Sequence, residues 1–345
     1  METIFGTPGH ATIFAYLFFF ASLLVGCSGS IWVKKHAKCT QDIYNSANSF
    51  NLMLVSFETI FFLVASIVAS IVRNTGAPFV WDTPTIVCAA IRAVAYVLGM
   101  LGYLMAVRHG PLLLTTIICR AGLAIPILLS AVIWPDSNKV RWYMAIGMAL
   151  LFLALFLFNK KEGNGQPLSK TTPAFWFWAI TGAVGNGMEG FSVKLLENWT
   201  RGSSASGASS LENCLFYASI LQVIVFAIVL FRYPPQKTGI DEDGVALPGK
   251  GRPSFKEFLP VSLIGCGWIV CYAITNATSF YTSSLTIAYL PVVFYFMANT
   301  GFSILFSFII ARFIFREKLR PMQYVGCVIA VIGLILLNDW ASVLA

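Results

Sequence analysis

Four ionisable residues lie deep inside long apolar stretches of this chain, where they would be costly in a membrane. They are Glu58, Arg92, Arg120 and Glu189. An ionisable side chain at the centre of a membrane helix costs at least ~2.5–3.5 kcal/mol, so it usually faces other protein groups or water. These residues are therefore the first candidates for a path that small molecules take through a membrane. Internal ion pairs are the competing interpretation.

Arg120 is the most deeply placed of the four, at the middle of an apolar run over 111–133. Gly122 and Pro126 follow it and predict a bend that frees backbone carbonyl groups toward a cavity. A guanidinium group binds two oxygens at once, which suits a carboxylate or a phosphate. Arg120 is expected either to hold such a group on a ligand or to pair with Glu189 or Glu58.

The segment 182–190 holds Asn186 and Glu189 among four glycines. Glycines weaken a helix and let another backbone or a ligand approach closely. Apolar surroundings favour the protonated form of a carboxyl group, so Glu189 is a candidate carrier of a coupling proton. The competing interpretation is a closely packed helix in which Glu189 pairs with a basic residue.

Glu58 and Arg92 lie at similar depths in two neighbouring apolar runs. An ion pair between them would lower the cost of burying both charges. The pattern leaves two interpretations open for each residue: a structural ion pair, or a part in the path itself.

The apolar runs that hold these residues indicate an integral membrane protein. Hydrophobic residues make up 57% of the 345 residues and charged residues only 11%, whereas a soluble domain carries about 25%. A membrane helix needs about 20 residues, and ten runs qualify. Backbone groups in lipid have no partner outside the chain, so runs of this length must be helical. The runs are 11–33, 51–72, 85–107, 111–133, 142–159, 174–196, 214–231, 258–280, 289–314 and 323–343.

The chain contains an internal duplication. Residues 120–159 align without a gap on residues 299–338, so that Gly122 falls on Gly301 and Lys139 on Lys318. Two five-helix repeats follow, over 1–160 and 174–345, with a polar linker over 161–173. An odd number of spans turns the second repeat upside down, so the expected fold is all-α with two inverted five-helix repeats.

The duplication also points to residues in the second half. A binding site is expected between inverted repeats, near the middle of the membrane. Asn299 occupies the position equivalent to Arg120, so one side of the site would be charged and the other would carry an amide. Tyr295 lies one helical turn before Asn299 and is a further candidate for the lining, although an aromatic residue there also suits the core or a lipid-facing surface.

Other functional classes have no support in the sequence. The eight cysteines show no CxxC and no metal-ligand spacing, so neither a metal nor a cofactor is expected. No HExxH or GxSxG motif indicates an enzyme. The net charge of +8 is not arranged in a nucleic-acid-binding motif, and basic loops beside anionic lipid explain it better.

Several motifs carry a resemblance to a known family. Residues 315–320, 323–326 and 333–338 are similar to the ending of each repeat in that family, and residues 29–34 are similar to its first span. The chain resembles the drug/metabolite transporter superfamily, specifically ten-span members with two EamA-type domains. One departure is Asn138, which stands where the first repeat usually carries an acidic residue.

The resemblance implies a function. Relatives of this kind transport small molecules by alternating access. The expected function is secondary transport of a small polar or amphipathic metabolite, with protons as a candidate coupling ion. A channel-like facilitative permease without coupling is the alternative. The expected location is a membrane, the cell membrane if the protein is bacterial.

The orientation of the chain in the membrane stays open. If the N-terminus were cytoplasmic, most loop lysines and arginines would lie outside, whereas basic loops are usually cytoplasmic. The charge pattern therefore favours external termini, and the resemblance implies cytoplasmic ones.

Overall fold

A computed structural model of the chain describes most of the apolar runs and few of the segments between them. The described residues are 8–39, 47–73, 79, 81–109, 115, 118–119, 121–134, 142–159, 172–200, 210–232, 238–240, 246–248, 263–287, 290, 292–310, 313 and 321–336. Most of the linker predicted over 161–173 lies outside these ranges.

Ten helices lie in the described residues, and each overlaps one of the ten predicted runs. The prediction of a predominantly helical chain is therefore confirmed. The helices are α1 Pro8–Cys39, α2 Ala47–Arg73, α3 Thr83–His109, α4 Ala124–Ile133, α5 Trp142–Asn159, α6 Pro173–Thr200, α7 Ser210–Arg232, α8 Leu263–Thr286, α9 Val292–Ile309 and α10 Pro321–Leu336.

One small sheet departs from the all-helical expectation. Strand β1, Thr238–Ile240, pairs antiparallel with β2, Ala246–Pro248, and Gly239 lies opposite Leu247. Both strands fall between α7 and α8, in a polar stretch between two apolar runs. A hairpin of this size only orders a connection and carries no core.

The membrane character is clear in three helices. Among the described residues, Phe50–Val72, Thr83–Tyr103 and Leu211–Arg232 are long and apolar enough to cross a membrane. Several helices also present apolar side chains outward: Val72 is 75% exposed and Val132 is 79% exposed. Water would not favour such a surface, but lipid does.

The helices pack in a regular set of pairs. Helices α1 to α5 of the first half correspond in order to α6 to α10 of the second. Among the described residues, α3 packs against α6, and the equivalent pair α8 and α1 is also in contact. Likewise, α3 contacts α7, and the equivalent pair α8 and α2 is in contact. The same relation links α4 with α6 and α9 with α1. Three further pairs each join equivalent helices of the two halves: α2 with α7, α4 with α9, and α5 with α10.

The largest apolar core lies among α1, α4, α5 and α9. Phe19 of α1 is fully buried and packs near Phe294 and Tyr295 of α9, with ring centroids 6.1 and 5.3 Å away. Ile127 and Met144 close the same cluster from α4 and α5. This core fixes α9 beside the first half of the chain.

Candidate functional site

A cavity of about 550 Å³ lies among helices of both halves of the chain. Ligand pockets typically enclose 300–1,000 Å³, so this space suits a small molecule. The first half supplies the lining residues Gly99, Met100, Tyr103, Cys119 and Leu123. The second half supplies Asn186, Glu189, Gly190, Val193, Tyr272, Phe280, Tyr295, Phe296 and Asn299.

Helix α6 presents Asn186 and Glu189 to this cavity. The helix begins where the side-chain oxygen of Thr172 accepts a hydrogen bond from the Phe175 amide, at 3.2 Å, and Pro173 occupies its first position. Both features favour a helix start, because they satisfy or remove amide donors that the first turn cannot bond.

The glycines of α6 set its distance from α3. A Cβ atom on Gly102 of α3 would lie 2.6 Å from the Cα atom of Gly182, and one on Gly185 would lie 2.6 Å from the Cα of Gly99. No side chain fits at such an approach, so the backbones pack directly, as the glycine pattern of segment 182–190 predicts. Because the crossing is this tight, Asn186 and Glu189 lie directly beside α3.

A turn at Gly122 and Leu123 shapes another wall of the cavity. Pro126 has no N–H to bond the carbonyl of Gly122, and the Ile125 amide bonds that carbonyl instead, at 2.9 Å. The regular helix is interrupted at this turn, and α4 begins only at Ala124. Ahead of the turn, the Cys119 carbonyl accepts a hydrogen bond from Asn186 Nδ2 at 3.4 Å.

The Glu189 carboxylate forms an ion pair with Arg92. Arg92 Nη2 of α3 donates to Glu189 Oε1 across 2.8 Å, and the two side chains are 8% and 20% exposed. The Arg92 guanidinium also stacks on Phe280 of α8, with Cζ 3.8 Å from the ring centroid. Glu189 and Phe280 line the cavity, so Arg92 lies directly behind its wall and stabilises the negative charge of Glu189.

Glu58 has a different partner from the one the sequence suggested. Its carboxylate accepts a hydrogen bond from Asn276 Nδ2 of α8 at 2.7 Å, and its residue is 6% exposed. The expected pair of Glu58 with Arg92 is not the contact that forms, because α3 directs Arg92 across to α6. Asn276 lies on α8 between the lining residues Tyr272 and Phe280, four residues from each, so Glu58 contacts the helix that forms this part of the cavity wall.

The candidates of the second half lie in the cavity wall on α9. Tyr295 is 5% exposed, and its hydroxyl lies 3.4 Å from Ser283 Oγ of α8. Asn299 follows one turn later and lines the same space. In the first half, the turn at Gly122 and Leu123 precedes α4. In the second half, α9 runs without interruption from Val292 to Ile309, because the position equivalent to Pro126 is Leu305.

Of the seven residues singled out from the sequence, Asn186, Glu189, Tyr295 and Asn299 line the cavity. Arg92 and Glu58 lie behind its wall. Arg120 is outside the described residues, although its neighbour Cys119 is in the lining. The assignment of an anion-binding role to Arg120 stays a prediction.

Sequence reasoning missed most of the aromatic lining and Asn276. The aromatic residues of the wall are Tyr103, Tyr272, Phe280, Tyr295 and Phe296. A usable signal exists on α8, where Tyr272, Asn276 and Phe280 recur every four residues and therefore share one helix face. Among the described lining residues, these rings are combined with the Glu189 carboxylate and the amides of Asn186 and Asn299.

The comparisons with known proteins add information on the fold alone. No known protein family matches the sequence, and no curated protein matches it. A solved chain described as "Crystal structure of protein" has a similar fold, with a TM-score of 0.61. It is 12% identical, and the match covers 95% of this chain and 98% of that one. The likeness thus extends over the whole fold but carries no function.

Proposed function

We propose that this protein is a multi-pass membrane transporter that moves a small polar or amphipathic metabolite by alternating access. The observation that carries the proposal is the cavity lined by both halves, with the Glu189 carboxylate and two amides in an aromatic wall. Aromatic rings bind flat apolar surface, and the carboxylate and amides select polar groups. A ligand of this mixed character fits the lining.

The helix pairs support an inverted-repeat architecture. Exchanging each helix for its equivalent in the other half turns one contacting pair into another contacting pair. The pair α3 and α6 becomes the pair α8 and α1, and the pair α3 and α7 becomes the pair α8 and α2. A two-fold axis between the halves produces this exchange. Three pairs, α9 with α10, α9 with α5 and α6 with α7, are not matched as strongly among the described residues. Five spans in each half make the relation an inversion, which is a frequent plan of secondary transporters.

Coupling of the substrate to an ion distinguishes a secondary transporter from the alternative, a facilitative, channel-like permease. In a coupled transporter, substrate binding and ion binding depend on each other, and the ion pair at the cavity wall can supply this dependence. The glycine crossing of α3 with α6 and the turn at Gly122 offer places where packed helices can shift against one another.

Flux through reconstituted vesicles tests the proposal. Purified protein in liposomes is exposed to a mixture of amino acids, sugars, nucleosides and organic amines, and the trapped compounds are measured by mass spectrometry. We expect at least one small amphipathic compound to accumulate faster than in protein-free liposomes. Acceleration by the same compound on the opposite side indicates a transporter, since a pore shows no counterflow. If no compound crosses faster than in empty liposomes, the proposal is wrong.

A further inference from the structure

Glu58 is a buried carboxylic acid whose described surroundings place no cation in contact with it. It lies inside the apolar span Phe50–Val72 and is 6% exposed. Its hydrogen bond comes from Asn276, a neutral amide, at 2.7 Å. A buried carboxylate without a cation partner is costly, whereas the neutral acid is cheaper to bury.

Charged and titratable groups of α3 and α6 interact with Glu58. Arg92 and Tyr96 of α3 and Glu189 of α6 interact with it electrostatically. The guanidinium of Arg92 is bonded to Glu189 and not to Glu58. In the part of the chain that the structure describes, Glu58 and Glu189 therefore both interact with the Arg92 guanidinium, but Glu189 is the one hydrogen-bonded to it.

We propose that Glu58 is the proton-binding site of the transport cycle and that Arg92 links it to Glu189 in the cavity. This inference rests on the proposed transport function and moves the proton from Glu189, where the sequence suggested it, to Glu58. The reason is geometric, because among the described residues the hydrogen-bonded partner of Glu189 is a cation, Arg92, and that of Glu58 is the neutral amide of Asn276.

Arg92 has the donor that such a link needs. Its Nη1 atom is buried and has no hydrogen-bond partner among the described residues. A buried donor without an acceptor is destabilising, so a second acceptor would stabilise it. Ionised Glu58 is that acceptor once Arg92 turns away from Glu189.

The coupling step is a simple proton release. A ligand that engages the Glu189 carboxylate from the cavity weakens its bond to Arg92. Arg92 then stabilises the charge of Glu58, so the O–H bond of Glu58 breaks and its proton leaves to water. The reverse sequence reloads the proton when the ligand departs, and no oxidant or reductant takes part.

Infrared spectroscopy of the purified protein in lipid nanodiscs tests the proton site without any substrate. The carbonyl stretch of a protonated carboxyl group is recorded from mildly acidic to mildly alkaline pH in the wild type, Glu58→Gln and Glu189→Gln. We expect a band in the wild type that fades as pH rises and is missing in Glu58→Gln. In Glu189→Gln the band should still form at acidic pH but fade at a lower pH than in the wild type, because Arg92 has lost its other carboxylate. A wild-type band that survives unchanged in Glu58→Gln overturns the proposal, as does a wild type without such a band.

A second variant covers the case in which Glu58→Gln does not fold. Asn276→Ala removes the donor that stabilises ionised Glu58 through a hydrogen bond. We expect the band to persist to a pH about one unit higher. An unchanged midpoint contradicts the proposal. The infrared measurement needs no transport. A negative infrared result therefore contradicts the proton site but not the transport function, and an absence of flux contradicts the transport function but does not alter the infrared band.

Discussion

Arg92 Nη2 lies 2.8 Å from Glu189 Oε1, and this contact joins α3 of the first half to α6 of the second. The pair lies beside the glycine crossing of the two helices, and the carboxylate faces the cavity while the guanidinium stays behind the wall. The contact therefore links the packing of the two halves to the lining of the site between them.

Removing one partner of the ion pair should destabilise the protein more than removing both partners. Arg92→Met leaves the mostly buried Glu189 carboxylate without a cation, and we expect a loss of about 3 kcal/mol in the free energy of unfolding. The double variant Arg92→Met with Glu189→Leu should recover most of that loss, because no charge stays unpaired. Chemical unfolding in detergent measures both. Equal losses in the single and the double variant would falsify this assignment.

The sequence predicts where helices lie far better than which side chains meet. Long apolar runs favour helices, and each of the ten runs overlaps a helix among the described residues. The interruption of the helix at Gly122 and Leu123 has a local cause that the sequence shows, since Pro126 has no N–H to bond the carbonyl four residues back.

The partners of the charged residues depend on how distant helices cross. Glu58 with Arg92 was a reasonable expectation from similar depth in neighbouring runs, yet Glu58 meets Asn276 and Arg92 meets Glu189. The glycines on α3 and α6 make that crossing tight enough for Arg92 to reach α6. One sequence without its crossing angles cannot specify such pairs.

Glu189 should matter for transport, whereas a second glutamate on the same helix should not. Glu197 lies two turns further along α6 and pairs with Lys194 at 2.5 Å, away from the cavity lining. With the compound that the flux assay identifies, we expect Glu189→Gln to slow transport about tenfold or more, since a charged contact to the ligand is lost. Glu197→Gln should transport at a near-normal rate. Similar rates for both variants would place Glu189 outside the mechanism.

The glycine crossing should tolerate no added methyl group. We expect Gly102→Ala to lower the free energy of unfolding by about 1–3 kcal/mol, because the new Cβ would meet the backbone of Gly182. Gly267→Ala on α8 is the matched control, since a Cβ there has nothing within 4 Å. It should stabilise the helix by about 0.5–1 kcal/mol. Thermal unfolding of both variants in the same detergent makes the comparison, and a neutral Gly102→Ala contradicts the direct backbone packing.

If the two halves lie in opposite orientations around one cavity, two equivalent positions of the halves must lie on opposite sides of the membrane. Lys139 and Lys318 occupy the same place in the two copies of the duplicated sequence. Single cysteines replace them, one at a time, in a variant that lacks the eight native cysteines. A membrane-impermeant thiol reagent is then added to intact cells and to inside-out vesicles. The inverted repeat predicts that one position reacts in cells and the other only in inside-out vesicles. Reaction of both positions from the same side would contradict the inverted repeat and the transport mechanism built on it.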